Sequence, residues 1–220
     1  MTLSREFVIP GMTAEYQSFV ELVRGFSDAE WNSPSRCAGW RVADVAAHVT
    51  GQLTDVVNFR LEGLGSPEAT KRQVDERRGR TTSELADELE ASAKLATDLA
   101  SSFDDAAWDA IGPQGGSTLG FGIESLWFDT FLHADDMRSA VGMASLKGEG
   151  LRPSISHISK VLSDQGFGPA DLTFEGIETF PVSGGGGRTV NGDAFEFVLA
   201  STGRGDPAIF DLDDSVNIYR

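Results

Sequence analysis

Residues 127–142 read Trp-Phe-Asp-Thr-Phe-Leu-His-Ala-Asp-Asp-Met-Arg-Ser-Ala-Val-Gly. Together with the turn before them they carry an apolar stripe of Ile123, Leu126, Trp127, Thr130, Phe131, Ala134 and Met137. Spacings of three and four predict a helix, with Gly142 as its stop. Polar groups interrupt the stripe. Asp129 and His133 lie four apart, which on a helix sets a carboxylate and an imidazole on one face, about 6 Å apart along the axis and close enough to grip one metal ion. Asp136 follows on the same side, with Asp135 beside it competing for the inward direction. A D-x-x-x-H pair is common by chance, so its meaning depends on what the rest of the chain brings to it.

Working outward, Tyr16, Phe19, Val20 and Val23 predict a first amphipathic helix from near Thr13 to near Gly25. Residues 27–40 are punctuated by Ser, Asn, Pro and Gly, yet hold Trp31 and Trp40, so this loop is expected to be pinned against the core. Val42, Val45, Val49, Leu53, Val56 and Val57 predict a second helix over about 42–61, ended by Gly63 and Gly65, with His48 beside its stripe. Residues 64–80 are charged and read as a surface connection. Thr81 and Glu84 form a capping box for a third helix that runs to about Ser102 along Leu85, Leu89, Ala93, Ala96 and Leu99.

Four amphipathic helices without alternating strands between them argue for a helical bundle, and bundles build metal sites from side chains facing inward on different helices. His48 on the second helix joins Asp129 and His133 on the fourth as one candidate site. After Gly148 the character changes. Residues 151–162 predict a helix, 171–177 and 216–219 strands, and 194–200 a short helix begun by Asp193. The fold expected is α+β, with a four-helix bundle over residues 1–147 and a small α/β domain over 148–220.

The chain has 220 residues, enough for a full core, and its net charge of −16, from 18 Lys and Arg against 34 Asp and Glu, argues against nucleic acid as a partner. Its apolar runs fall short of a membrane span and its first residues lack the blocks of a signal peptide, so a cytoplasmic protein without a membrane partner is expected. The single Cys37 excludes an internal disulfide and a cysteine-based zinc site, so His and carboxylate must hold any metal. Cys37 reads as a small buried apolar group, His157 as a surface or interface residue, and Trp31, Trp40, Trp127 and Phe131 as core. The glycine run 184–187 lacks the neighbours of a phosphate cradle.

Residues 30–48, Glu-Trp-Asn-Ser-Pro-Ser-Arg-Cys-Ala-Gly-Trp-Arg-Val-Ala-Asp-Val-Ala-Ala-His, resemble the opening signature of the mycothiol-dependent maleylpyruvate isomerase family, part of the wider DinB-like group of metal-binding four-helix bundles. His133-x-x-Asp136 and Thr202-Gly203-Arg204 resemble later family motifs. The resemblance implies that His48, Asp129 and His133 hold a divalent metal, zinc foremost, with Asp129 where the family more often has Glu. It also implies that Asp136 is an acid near the metal and that Arg204 is a C-terminal-domain arginine facing it. Arg41 departs from the usual Ser or Thr helix cap.

Two imidazoles and one carboxylate leave coordination positions open, where a thiol would lose its proton and become a nucleophile. With one cysteine in the chain, that thiol would be a small cosubstrate, mycothiol by resemblance. Added to an unsaturated keto acid it would support cis–trans isomerisation; retained on the product it would make the protein an S-transferase. Arg204 suits a substrate carboxylate or enolate, and Asp136 can orient a ligand histidine or carry a proton. The same ligand types fit a non-haem iron oxygenase, although those generally set them on a β-barrel, and a non-catalytic metal-dependent binding protein on this scaffold.

Overall fold

In the computed structural model, which describes residues 2–113 and 115–220, Ser4 begins α1 (Arg5–Gly25) well before Thr13, and the helix runs through Pro10 and Gly11. A proline in the second turn removes only one backbone bond. Burial of Val8 and Met12 on the same face outweighs it. The chain divides into two units, Ser4–Leu146 and Lys147–Arg220, the second including Thr2 and Leu3.

In the first unit, α1 is followed by α2 (Asp28–Trp31), α3 (Val42–Val57), α4 (Pro67–Arg77), α5 (Thr82–Ser101), α6 (Asp105–Asp109) and α7 (Leu119–Ala140). The long helices α1, α5, α3 and α7 pack in that cyclic order, and α4 lies on α3. Tyr16, Phe19, Leu53, Leu85, Leu89, Trp127 and Met137 are buried in the bundle. Tyr16, Phe19, Val20 and Val23, the stripe that marked the first helix, are all buried on α1, and on α5 Thr81 with Glu84 forms the capping box while Leu85, Leu89 and Ala96 are buried.

Two further stretches of this unit differ from the reading of the sequence. The second helix stops at Val57, short of Leu61, because Phe59 takes a left-handed conformation (φ 57°) and Arg60 N–H bonds the Asp55 carbonyl at 2.8 Å. Phe59 N–H bonds the Val56 carbonyl, which completes a Schellman end with phenylalanine where glycine is usual. The expected surface connection over 64–80 holds the three turns of α4. Ser66 caps it by accepting from Ala69 N–H, Pro67 opens it, and Gln73, Val74 and Arg77 are buried.

The second unit has α8 (Leu151–Asp164), β1 (Ala170–Leu172), β2 (Phe180–Val182), β3 (Arg188–Val190) and α9 (Ala194–Ser201). The sheet order is β2-β1-β3, with β1 antiparallel to β2 and parallel to β3. Asp193 caps α9 by accepting from Phe195 and Glu196 N–H. Residues 216–219 are not a strand: Asp213 caps a 3₁₀ turn, Asp214–Val216, and Ile218 N–H bonds the Ser201 carbonyl. Val216 and Ile218 are buried as anchors of this tail, which imitates strand alternation. Among the described residues no helix is long and apolar enough to cross a membrane.

The α1–α7 contact depends on a missing side chain. The Trp127 indole occupies the space that a Cβ on Gly11 would take. Gly11→Ala is therefore expected to destabilise the protein by about 1–3 kcal/mol through overpacking. Urea unfolding measures it, and an unchanged midpoint would contradict this packing.

Candidate metal centre

Across the α3–α7 contact, His48 meets Asp129 and His133. One ligand atom from each lies within 4.8 Å of the others. His48 Nε2 stands 3.7 Å from Asp129 Oδ2, and His133 Nε2 stands 3.6 Å from Asp129 Oδ1. The two imidazole rings are edge to face with centroids 5.2 Å apart. Both histidines are largely buried, and the Trp40 ring lies 5.4 Å from His48 and 6.5 Å from His133.

The opposite edges of the rings are tied down. His48 Nδ1 is 2.9 Å from Gln73 Oε1, and Gln73 Nε2 donates to Asp55 Oδ2 at 2.8 Å. Asp55 in turn pairs with Arg72 at 2.7 Å and Arg60 at 3.1 Å. On the other side His133 Nδ1 is 2.8 Å from Asp136 Oδ2, and Asp136 Oδ1 accepts from Arg36 Nε at 2.5 Å. Arg36 also pairs with buried Asp135. Thus the Nδ1 edges point into polar networks while the Nε2 edges point at the Asp129 carboxylate.

Electrostatics follow this layout. Burial alone would push the His133 imidazole down, but Asp129, hydrogen bonds to Asp136 and Cys37, and the Asp136 charge outweigh it and hold the group up at about 10. A field that retains a proton this firmly also favours a divalent cation. Two imidazole nitrogens and a carboxylate oxygen are the donor types of a zinc site with three protein ligands, so these residues fit a divalent metal.

A family model described as the mycothiol maleylpyruvate isomerase N-terminal domain matches residues 12–138. The chain belongs to this family. The match takes in His48, Asp129, His133 and Asp136. Two solved structures are similar over 96% of this chain and 96% of theirs: a mycothiol-dependent maleylpyruvate isomerase, with TM-score 0.67 and 21% identity, and a histidine-to-alanine mutant of a mycothiol-dependent maleylpyruvate isomerase, with TM-score 0.63 and 22% identity. No curated protein matches the sequence.

Within this mycothiol maleylpyruvate isomerase family domain, the loop before α3 supplies more than a core anchor. Its Trp31 is buried and bonds the Arg80 carbonyl through Nε1, as a pinned loop requires. Ser35 N–H and Oγ both bond the Trp40 carbonyl, closing a turn that presents Arg36 and Cys37 to α7. Cys37 is accordingly not a remote apolar group: its Sγ lies 3.1 Å from Asp136 Oδ2 and 3.9 Å from His133 Nδ1. Asp44 takes the Arg41 N–H at 3.0 Å and its guanidinium at 3.1 Å, which holds the start of α3 without a Ser or Thr cap.

Arg204 belongs to the second unit, where Nη1 donates to the Thr202 carbonyl at 2.9 Å, and His157 lies half-buried on α8. Gln73, Asp55 and Arg36 are the residues that spacing did not single out. Ser66-Pro67, a cap followed by a first-turn proline, is the signal that marks α4 and so exposes Gln73 as a helix residue.

In metal-free protein the His133 imidazole is expected to titrate near 10. Because this value lies above the ordinary histidine value of about 6.5, its contribution to stability is complete below that pH and is lost as pH rises through the folded value. Asp136→Asn should lower the midpoint by about one unit or more, read from the imidazole NMR resonances. A His133 midpoint near the ordinary value in the unsubstituted protein would contradict the electrostatic reading.

Proposed function

We propose that this chain is a metal-dependent enzyme that uses mycothiol as cosubstrate and acts on a small unsaturated keto acid by cis–trans isomerisation. The observation that carries the proposal is the convergence of His48 Nε2, His133 Nε2 and Asp129 while both Nδ1 edges are held by hydrogen bonds. Family membership directs the metal chemistry toward a thiol. In the reaction, the thiol sulfur adds to the activated double bond of the cis acid, rotation occurs about the resulting single bond, and the sulfur departs as the double bond re-forms in the trans acid.

His48, Asp129 and His133 would hold the ion, zinc foremost. When bound, a divalent ion lowers the pKa of a thiol at its open position, so that the sulfur is nucleophilic near neutral pH. The chain's own groups do the rest. Asp136 fixes the plane of the His133 ring from Nδ1, and Arg36 balances the buried charge of Asp135 and Asp136. The Trp40 ring lies beside both imidazoles and would help to limit water there.

Calorimetric titration of zinc-loaded protein with mycothiol is expected to show saturable binding with proton release, lost in His133→Ala. Incubation with maleylpyruvate and mycothiol is expected to give the trans acid with mycothiol regenerated. A stable mycothiol adduct as product would make the protein an S-transferase instead. No mycothiol binding to fully metallated protein would overturn the thiol chemistry.

A further inference from the structure

Taking His48, Asp129 and His133 as the metal ligands proposed above, we propose that Gln73, held by Asp55, is the positioning residue that sets the His48 tautomer and so determines the metal affinity of the α3 side of the site. Nothing in the spacing of the ligand residues points to it; the placement of α4 does.

The direction of each hydrogen bond follows from the partners. Asp55 is buried and ion-paired with Arg60 and Arg72, so it acts as an acceptor. Gln73 must therefore turn its amide NH₂ toward Asp55, the contact seen at 2.8 Å, and its carbonyl Oε1 toward His48. A carbonyl can only accept. His48 Nδ1 must then carry the proton and donate at 2.9 Å, which leaves the Nε2 lone pair facing Asp129. A neutral imidazole holds one N–H, and free imidazole side chains have no such constraint; the Asp55–Gln73 pair removes the choice.

The backbone is built to allow this reach. Gly51, one turn after His48 on α3, sits where a Cβ would come within 2.6 Å of Gln73 Cβ and 2.8 Å of Arg77 Nη1. A side chain there would hold α4 off α3, whereas glycine lets Gln73 arrive within hydrogen-bond distance of His48. Gln73 is 1% exposed, so water does not substitute for it as a partner of His48. The two sides of the site therefore use different devices for one purpose: a carboxylate, Asp136, on His133 and a neutral amide on His48. The amide orients its ring without adding a second negative charge beside it, and the charge is placed one residue further out on Asp55.

The test is a zinc competition titration against a chromophoric chelator, beside nitrogen-15 imidazole spectra of metal-free protein. Gln73→Leu, close in volume, is expected to raise the zinc Kd by about 10–100-fold. It should also shift His48 from the Nδ1–H toward the Nε2–H tautomer in the spectra. Exchanging the two groups, Asp55→Asn with Gln73→Glu, keeps an acceptor for His48 Nδ1 but moves the negative charge next to the ring, so it is expected to keep Nδ1 protonated and to return the zinc Kd toward that of the original protein. A Gln73→Leu variant with unchanged tautomer and unchanged zinc Kd would overturn the proposal, as would a loss that the exchange does not reverse, since that would mark Gln73 as packing alone. If the unsubstituted protein binds no zinc, the metal centre itself fails, and the tautomer reading alone then decides the role of Gln73.

Discussion

Two imidazoles and a carboxylate share a few ångströms between α3 and α7, and the surrounding bundle keeps both rings buried with their Nδ1 edges hydrogen-bonded. A buried ring N–H left without a partner costs about 1–3 kcal/mol, and each histidine has one edge to satisfy before the other can serve a ligand. Asp136 meets that need for His133 from one turn along the same helix. For His48 the partner comes from α4, a helix that adds little apolar surface but supplies Gln73. Placement of α4 is thus a requirement of the site more than of the core.

Charge is the second constraint. Asp55, Asp135 and Asp136 are buried around the site, and Asp129 faces both rings. Buried acids are tolerable only when paired, and Arg60 and Arg72 serve Asp55 while Arg36 serves Asp135 and Asp136. Asp129 is the carboxylate aimed at the two Nε2 atoms, and the proposed cation site rests on that convergence. Exposed pairs such as Lys94–Asp98 lie on the helix surfaces and contribute little by comparison.

The bundle was legible because its long helices carry apolar periodicity, and a His on one and an Asp–His pair on another could be joined into a candidate site by bundle geometry together with the family resemblance. Features set by hydrogen bonding were harder to read. Phe59 in a left-handed turn ends α3 early, where Gly63 and Gly65 were the visible stops, and Val216 with Ile218 imitates a strand while anchoring a capped turn. The polar sequence of α4 hid Gln73, since three turns with few apolar residues give almost no periodic signal. Arg36 and Cys37 reach α7 through a turn closed by Ser35 and Trp40, a long-range juxtaposition that no local pattern encodes. The assignment of Arg204 rests on the Thr202-Gly203-Arg204 motif.

Anomalous diffraction from crystals grown with zinc tests the central claim most directly. The account expects one strong peak bounded by His48 Nε2, His133 Nε2 and an Asp129 oxygen, each at about 2.0–2.2 Å, with at least one further position open. A peak held instead by Cys37, His133 and Asp136, the neighbouring group of potential ligands, or full-strength zinc binding with no density between α3 and α7, would contradict it.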